Sequence, residues 1–143
     1  MDAPKDNHGL PTWAPAQKDI VGTSLGSSRL WFTLAEGIVT EVYFPRIDIP
    51  QIKDLGFIVA DDAGFWVELR RLGNYTLELG HDVAPAVIVT HHHERFDFQM
   101  RVVPDQNRDV LLLDCRLKSE DPKLRLYALL APRPFGDTER CVG

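Results

Sequence analysis

Long apolar runs are missing from this sequence. The longest, Val110 to Leu113 and Leu126 to Ala131, fall far short of the roughly 18 residues that a membrane-crossing helix needs, so no helical span and no membrane partner is expected. Charge of one sign is missing too: 16 basic and 21 acidic residues are mixed along 143 positions for a net charge of -5. A nucleic-acid-binding surface would show a basic stripe instead, and no nucleic-acid partner is expected. Cysteine is scarce, with only Cys115 and Cys141. Neither has a metal-type neighbour at short spacing. Cys115 alternates with Leu113 and Leu117, which reads as a small buried apolar side chain in preference to half of a disulfide. The glycines between Gly22 and Gly26 are followed by no Lys-Ser or Lys-Thr pair and no helical pattern, which excludes a phosphate loop. The first eight residues, Met1 to His8, lack the apolar core of a secretory signal, so either a cytoplasmic chain or the mature form of a secreted one is expected.

What the sequence has is alternation. With 44% hydrophobic residues it can bury the core of one ordinary domain. Residues 1–19 hold Pro4, Pro11 and Pro15 among polar residues and read as an extended arm. From Ser28 onward, runs rich in β-branched and aromatic residues are separated by short turns. Within Ser28 to Asp48 two such runs flank a short turn containing Gly37, a β-hairpin that stops against Pro45. Leu55 to Ala60 and Phe65 to Arg70 form a second hairpin around Asp61-Asp62-Ala63-Gly64. Tyr75 to Leu79, Ala86 to His93, Glu94 to Val103, Asp109 to Leu117 and Leu124 to Ala131 follow as strands, several with period two. About eight strands at regular spacing, with no amphipathic helix and no internal repeat, predict an all-β antiparallel sandwich over residues 20–132 and an irregular tail over 133–143.

The chemistry-bearing residues are few. The loop after Pro45 carries Arg46 and Asp48 between two prolines, close to Tyr43; these three either shape a binding entrance or a domain interface, or pair on the surface. His91 and His93 share a strand face, yet two imidazoles leave a tetrahedral metal site short of ligands, with His81 and His8 not brought near by any pattern. A solvated strand end is the simpler expectation there. Adjacent aromatics on a strand point to opposite faces, so Trp31 and Phe32, or Phe65 and Trp66, cannot both be core. The outward members, with Trp13 in the arm, could stack on sugar rings or pack on protein. The acidic set Glu36, Glu41, Asp54, Asp61, Asp62 and Glu68 fits turns and strand faces. No catalytic residue, no metal site and no cofactor is assigned from it, and calcium has no motif, since Asp61-Asp62 lacks the ligand spacing of a dedicated loop.

The order Pro11-Thr12-Trp13-Ala14-Pro15, Val21-Gly22-Thr23-Ser24, Trp31-Phe32-Thr33-Leu34, Gly37 to Pro45 with Asp48, then Asp54 to Val59, Asn107 to Leu113 and Leu126-Tyr127 resembles the N-terminal domain of bacterial and archaeal glucoamylases and glucodextranases. The resemblance runs to about Pro132. It implies a galactose-mutarotase-like supersandwich of which this chain holds the front portion, with the catalytic α-helical barrel absent. It also implies a parent enzyme of glycoside hydrolase family 15 that releases glucose from the non-reducing ends of α-glucans with inversion, its two catalytic carboxylates lying on the barrel. The chain itself would then be inactive alone, packing on the barrel with the Tyr43, Arg46 and Asp48 loop at the substrate entrance. Two other roles are open at this stage: a stand-alone carbohydrate-binding module, and a structural protein that forms homo-oligomers through exposed sheet edges. The preferred linkage of the parent, α-1,4 or α-1,6, is not readable.

Overall fold

The computed structural model describes residues 15, 17–80 and 86–133. Trp13, His8, His81 and Cys141 lie outside them. Among the described residues the chain forms ten strands: β1 (Ile20–Thr23), β2 (Trp31–Ala35), β3 (Ile38–Tyr43), β4 (Pro50–Ala60), β5 (Trp66–Glu68), β6 (Tyr75–Leu79), β7 (Val87–His93), β8 (Phe96–Pro104), β9 (Leu111–Lys118) and β10 (Arg125–Pro132). They make two antiparallel sheets. The first runs β1-β2-β3-β4-β10, with β5 also on β4, and the second runs β6-β7-β8-β9.

The predicted sandwich is the observed one, and its hairpins close as the turn residues require. Between β2 and β3, Glu36 and Gly37 both have positive φ, 54° and 73°, as the central pair of a type I′ turn must. Between β4 and β5, Asp61 Oδ1 accepts the backbone N–H groups of Ala63 and Phe65, each at 2.9 Å, which is how an aspartate closes a turn.

Three boundaries differ from the sequence reading. Ile20 to Thr23, read as part of a turn-rich stretch, pairs with β2 from Ile20↔Leu34 to Thr23↔Trp31; its β-branched Ile20, Val21 and Thr23 are interrupted by Gly22 and followed by Ser24, Gly26, Ser27 and Ser28, whose turn signal hides so short a strand until β2 pairs with it. The second hairpin's return strand stops at Glu68, followed by a single 3-10 turn at Leu69–Arg71. The cause is competition for one edge of β4. In the β5 register Ala60↔Trp66 to Ile58↔Glu68, a longer strand would bring Arg71 opposite Leu55, which already pairs with Val39 of β3. β4 in turn begins at Pro50, so the loop after Pro45 is shorter than the sequence indicates.

The core lies between the sheets. Phe32, Leu34, Val39, Phe57 and Val59 of the first sheet meet Val89, Phe98, Met100 and Val102 of the second. Phe57 and Phe98 sit 5.0 Å apart, centroid to centroid, a contact typical of offset aromatic pairs, so β8 faces β4. Arg95 ties three loops on one end: its Nη2 donates to Asp61 at 2.9 Å and Asp121 at 2.7 Å, and its guanidinium lies 4.1 Å over the Phe65 ring. Cys115 is half-buried on the inner side of β9, where burial pushes its thiol pKa up.

Candidate functional site

Two polar constellations stand out, one at each of the places where β3 meets a turn. The first surrounds the loop after β3. Phe44 N–H donates to Ile49 O at 3.0 Å and Ile49 N–H donates to Arg46 O at 3.1 Å, while Gln51 Nε2 donates to Phe44 O at 3.0 Å, so the loop closes on itself before β4 begins. Arg46 and Asp48 face each other as a fork, with Nε donating to Oδ1 at 2.9 Å and Nη2 paired to Oδ2. Both side chains are exposed. Each therefore spends its charge on the other, and the hydrogen bonds from Arg46 hold the Asp48 carboxyl below its usual value.

Tyr43 faces the outer side of the sheet with its register partner Trp31. Burial, then the neighbouring Glu41 carboxylate, push its phenol up to about 12. Glu41 itself forms an ion pair with Lys18 Nζ at 2.9 Å and accepts from Thr33 Oγ1 at 3.2 Å, and the Thr33 and Thr40 hydroxyls are 2.8 Å apart. This half-buried network under the end of the arm escaped the sequence reading, because Lys18 and Glu41 have no pattern that pairs them. Arg29 caps the same end of the first sheet, 4.9 Å over the Phe44 ring and 3.0 Å from Asp109.

The second constellation surrounds the Glu36-Gly37 turn. Arg70, carried by the 3-10 turn, pairs through Nε with Glu36 and through Nη1 with Asp54 at 2.6 Å. Burial raises the Asp54 pKa, and Glu68 and Glu36 add to the rise against the lowering by Arg70. Two carboxylates thus share one guanidinium. Tyr75 donates to Asp19 Oδ2 at 2.8 Å, and its phenol rises to about 12 from burial and then from that carboxylate.

His91 belongs here and not at a solvated strand end. It is fully buried, 0% exposed, and its Nε2–H donates across the sandwich to Gly37 O at 2.8 Å, which fixes the neutral tautomer because a carbonyl only accepts. The ring packs 5.5 Å from Tyr75 and 6.2 Å from Phe98, and Nδ1 has no partner among the described residues. His92 turns outward to Asp97, and His93 stacks on Phe96. The alternation predicted their faces; it could not say that the His91 face is the core.

Burial lowers the His91 pKa from its ordinary 6.5. An unfolded chain therefore binds this proton more readily than the folded one, so the stability His91 confers is complete above about pH 6.5 and falls as the pH drops below it. Urea titrations at pH 7.5 and 5.5 check this. The midpoint is expected to drop for the wild type by clearly more than for His91→Gln, whose side chain cannot take up the proton; equal drops would remove His91 from the account.

Of the aromatics proposed for sugar stacking, Trp13 lies outside the described residues. Trp31 is half-buried and Trp66 is 63% exposed. Through Tyr43↔Pro50 and Ala60↔Trp66 the two sit at opposite ends of the 11-residue β4, about 30 Å apart at 3.3 Å per residue. That is too far for one short platform. Among the described residues no group of three or more His, Cys, Asp or Glu side chains could hold a metal ion.

Comparison with known proteins matches both the fold and the sequence order. The family described as "Glucodextranase, domain N" matches residues 3–139. A glucoamylase of Clostridium sp. (strain G0005) is 30% identical over 125 residues, which cover 82% of this chain and 17% of that protein. The crystal structure of a bacterial glucoamylase complexed with acarbose superposes with a TM-score of 0.79 at 28% identity, over 92% of this chain and 20% of that one. The chain spans about a fifth of the length of the relatives it matches, and across nearly all of its own length it belongs to the glucodextranase domain N family, the N-terminal β-sandwich of glucoamylases and glucodextranases.

Proposed function

We propose that this chain serves as the non-catalytic N-terminal sandwich of a glucoamylase-type hydrolase, packing on a catalytic domain and shaping the approach of an α-glucan to it. The observation that carries the reading is the coverage: 92% of this chain superposes on 20% of a bacterial glucoamylase, so its likeness is to one part of an enzyme whose remaining length must hold further functions. Within that part, the loop with Tyr43, Arg46 and Asp48 is the element suited to meet a neighbouring domain or a sugar. It is closed by its own backbone bonds and presents an oriented charge pair to solvent.

A chimera tests this. Residues 15–133 replace the matching segment of the Clostridium glucoamylase, and glucose release from malto-oligosaccharides is assayed for the chimera and for this chain alone. The chimera is expected to be active and the chain alone inactive. In the chimera, Tyr43→Ala and Asp48→Ala are expected to raise KM severalfold with kcat nearly unchanged, the pattern of lost positioning contacts. Glucose release by the isolated chain would overturn the non-catalytic reading. An active chimera indifferent to both substitutions would remove the loop from the entrance and leave the domain assignment standing.

A further inference from the structure

Two closed loops, one from each sheet, lie at the same end of the sandwich, and a single arginine touches both. The loop of the second sheet joins β8 to β9. Asp105 Oδ1 accepts the backbone N–H groups of Asn107 and Arg108, each at 2.8 Å, and Asp105 N–H donates to Val110 O at 2.9 Å. Asp109 is therefore held in a turn whose shape its own neighbours fix.

The connection from β1 to β2 is laid along that turn. Gly26 passes so close to Gln106 that a Cβ would overlap its carbonyl oxygen, and Ser28 N–H donates to the same oxygen at 3.2 Å. Asp109 then takes Arg29 twice, accepting its backbone N–H on Oδ1 at 2.6 Å and its Nη2 on Oδ2 at 3.0 Å. An exposed ion pair alone would do little. A carboxylate that grips both the backbone and the side chain of one arginine also fixes where the guanidinium points. It points over the Phe44 ring, with Cζ 4.9 Å from the centroid, within the range of a cation–π contact. Phe44 opens the loop of Tyr43, Arg46 and Asp48. Its backbone carries two of the bonds that close that loop, from Phe44 N–H to Ile49 O and from Gln51 Nε2 to Phe44 O.

We infer that Asp109 of the second sheet is a positioning residue for the Tyr43, Arg46 and Asp48 loop of the first, acting through Arg29 and the Phe44 ring. The loop's internal bonds set its shape, and Arg46 and Asp48 spend their charges on each other. Arg29 brings a charge from outside the loop, and Asp109 holds that charge in place. Any consequence for glucan binding rests on the reading that this loop lies at a substrate entrance; the consequence for the loop itself does not.

Hydrogen exchange of the full chain reads the loop directly. In Asp109→Ala the Phe44 and Ile49 amides are expected to exchange roughly tenfold faster than in the wild type, with the amides of β7 and β8 unchanged. Arg29→Ala is expected to do the same and the double variant no more, since both act through one contact. Asp109→Asn keeps an acceptor for the Arg29 N–H and is expected to fall between. Asp114→Ala, which breaks an exposed pair with Arg116 on β9, is the control and is expected to leave these amides as they are. In the chimera with the Clostridium glucoamylase, Asp109→Ala is expected to raise KM severalfold with kcat nearly unchanged. Unchanged Phe44 and Ile49 amides in Asp109→Ala overturn the inference, and so does an acceleration shared equally by β7 and β8, which would make the pair a general brace. Faster loop amides with an unaltered KM uphold the positioning role and remove the loop from the entrance.

Discussion

Gly37→Val is expected to destabilise the domain by about 2–5 kcal/mol, close to the whole stability of many single domains. Two independent costs add. Gly37 has a φ of 73°, where a residue with a Cβ, and above all a β-branched one, costs about 1–2 kcal/mol. A Cβ there would also overlap the His91 imidazole and crowd the Tyr75 ring, and overpacking a fixed core site costs about 1–3 kcal/mol. The imidazole cannot retreat without giving up its bond to Gly37 O. Glu36→Asn separates the two costs, since it eases the neighbouring positive φ of 54° without touching the ring; it is expected to change stability by under about 1 kcal/mol, the gain in turn propensity offsetting the loss of the Arg70 pair. Urea denaturation of both variants is the measurement. A Gly37→Val protein within about 0.5 kcal/mol of wild type would mean that the turn and His91 do not hold the sheets together, because surface changes alone stay in that range.

Phe98→Ala is expected to cost about 3–5 kcal/mol. Phe98 is fully buried, contacts the Phe57 ring of the facing sheet and lies beside His91, so its removal opens a cavity at the junction of both sheets and strips a wall from an imidazole already short of one partner. Phe98→Leu keeps most of the volume and is expected to cost under about 1.5 kcal/mol. The ratio between the two is the informative quantity. If Leu were as costly as Ala, the shape of the aromatic contact, and not the filled volume, would be what the site needs.

Which residues were legible in advance follows from how local their signals are. The Glu36-Gly37 turn, the period-two run of β8 and the Asp61 turn were readable because each is decided by neighbours within a few positions. The three-way contact of Glu36, Asp54 and Arg70 was not, since its members come from a turn, a strand and a 3-10 turn joined only by tertiary pairing. Arg46 and Asp48 were readable as a pair of loop charges, and the structure sets them against each other. His91 was placed on the correct strand face and in the wrong environment, because an alternating pattern has two faces and a histidine suits either.

The sequence by itself determined the class and the family: alternation and turn chemistry are local, and the order of short motifs survives along the chain whatever each residue contacts. Tertiary structure alone decided the rest. Phe32 is core and Trp31 outward, Trp66 is exposed although its neighbour Phe65 is not, and β10 lies beside β4 and not beside its sequence neighbour β9. Each of these depends on which strands meet, and strand pairing across long separations is set by the shared burial of apolar faces and the closure of long loops, terms that no window of sequence contains.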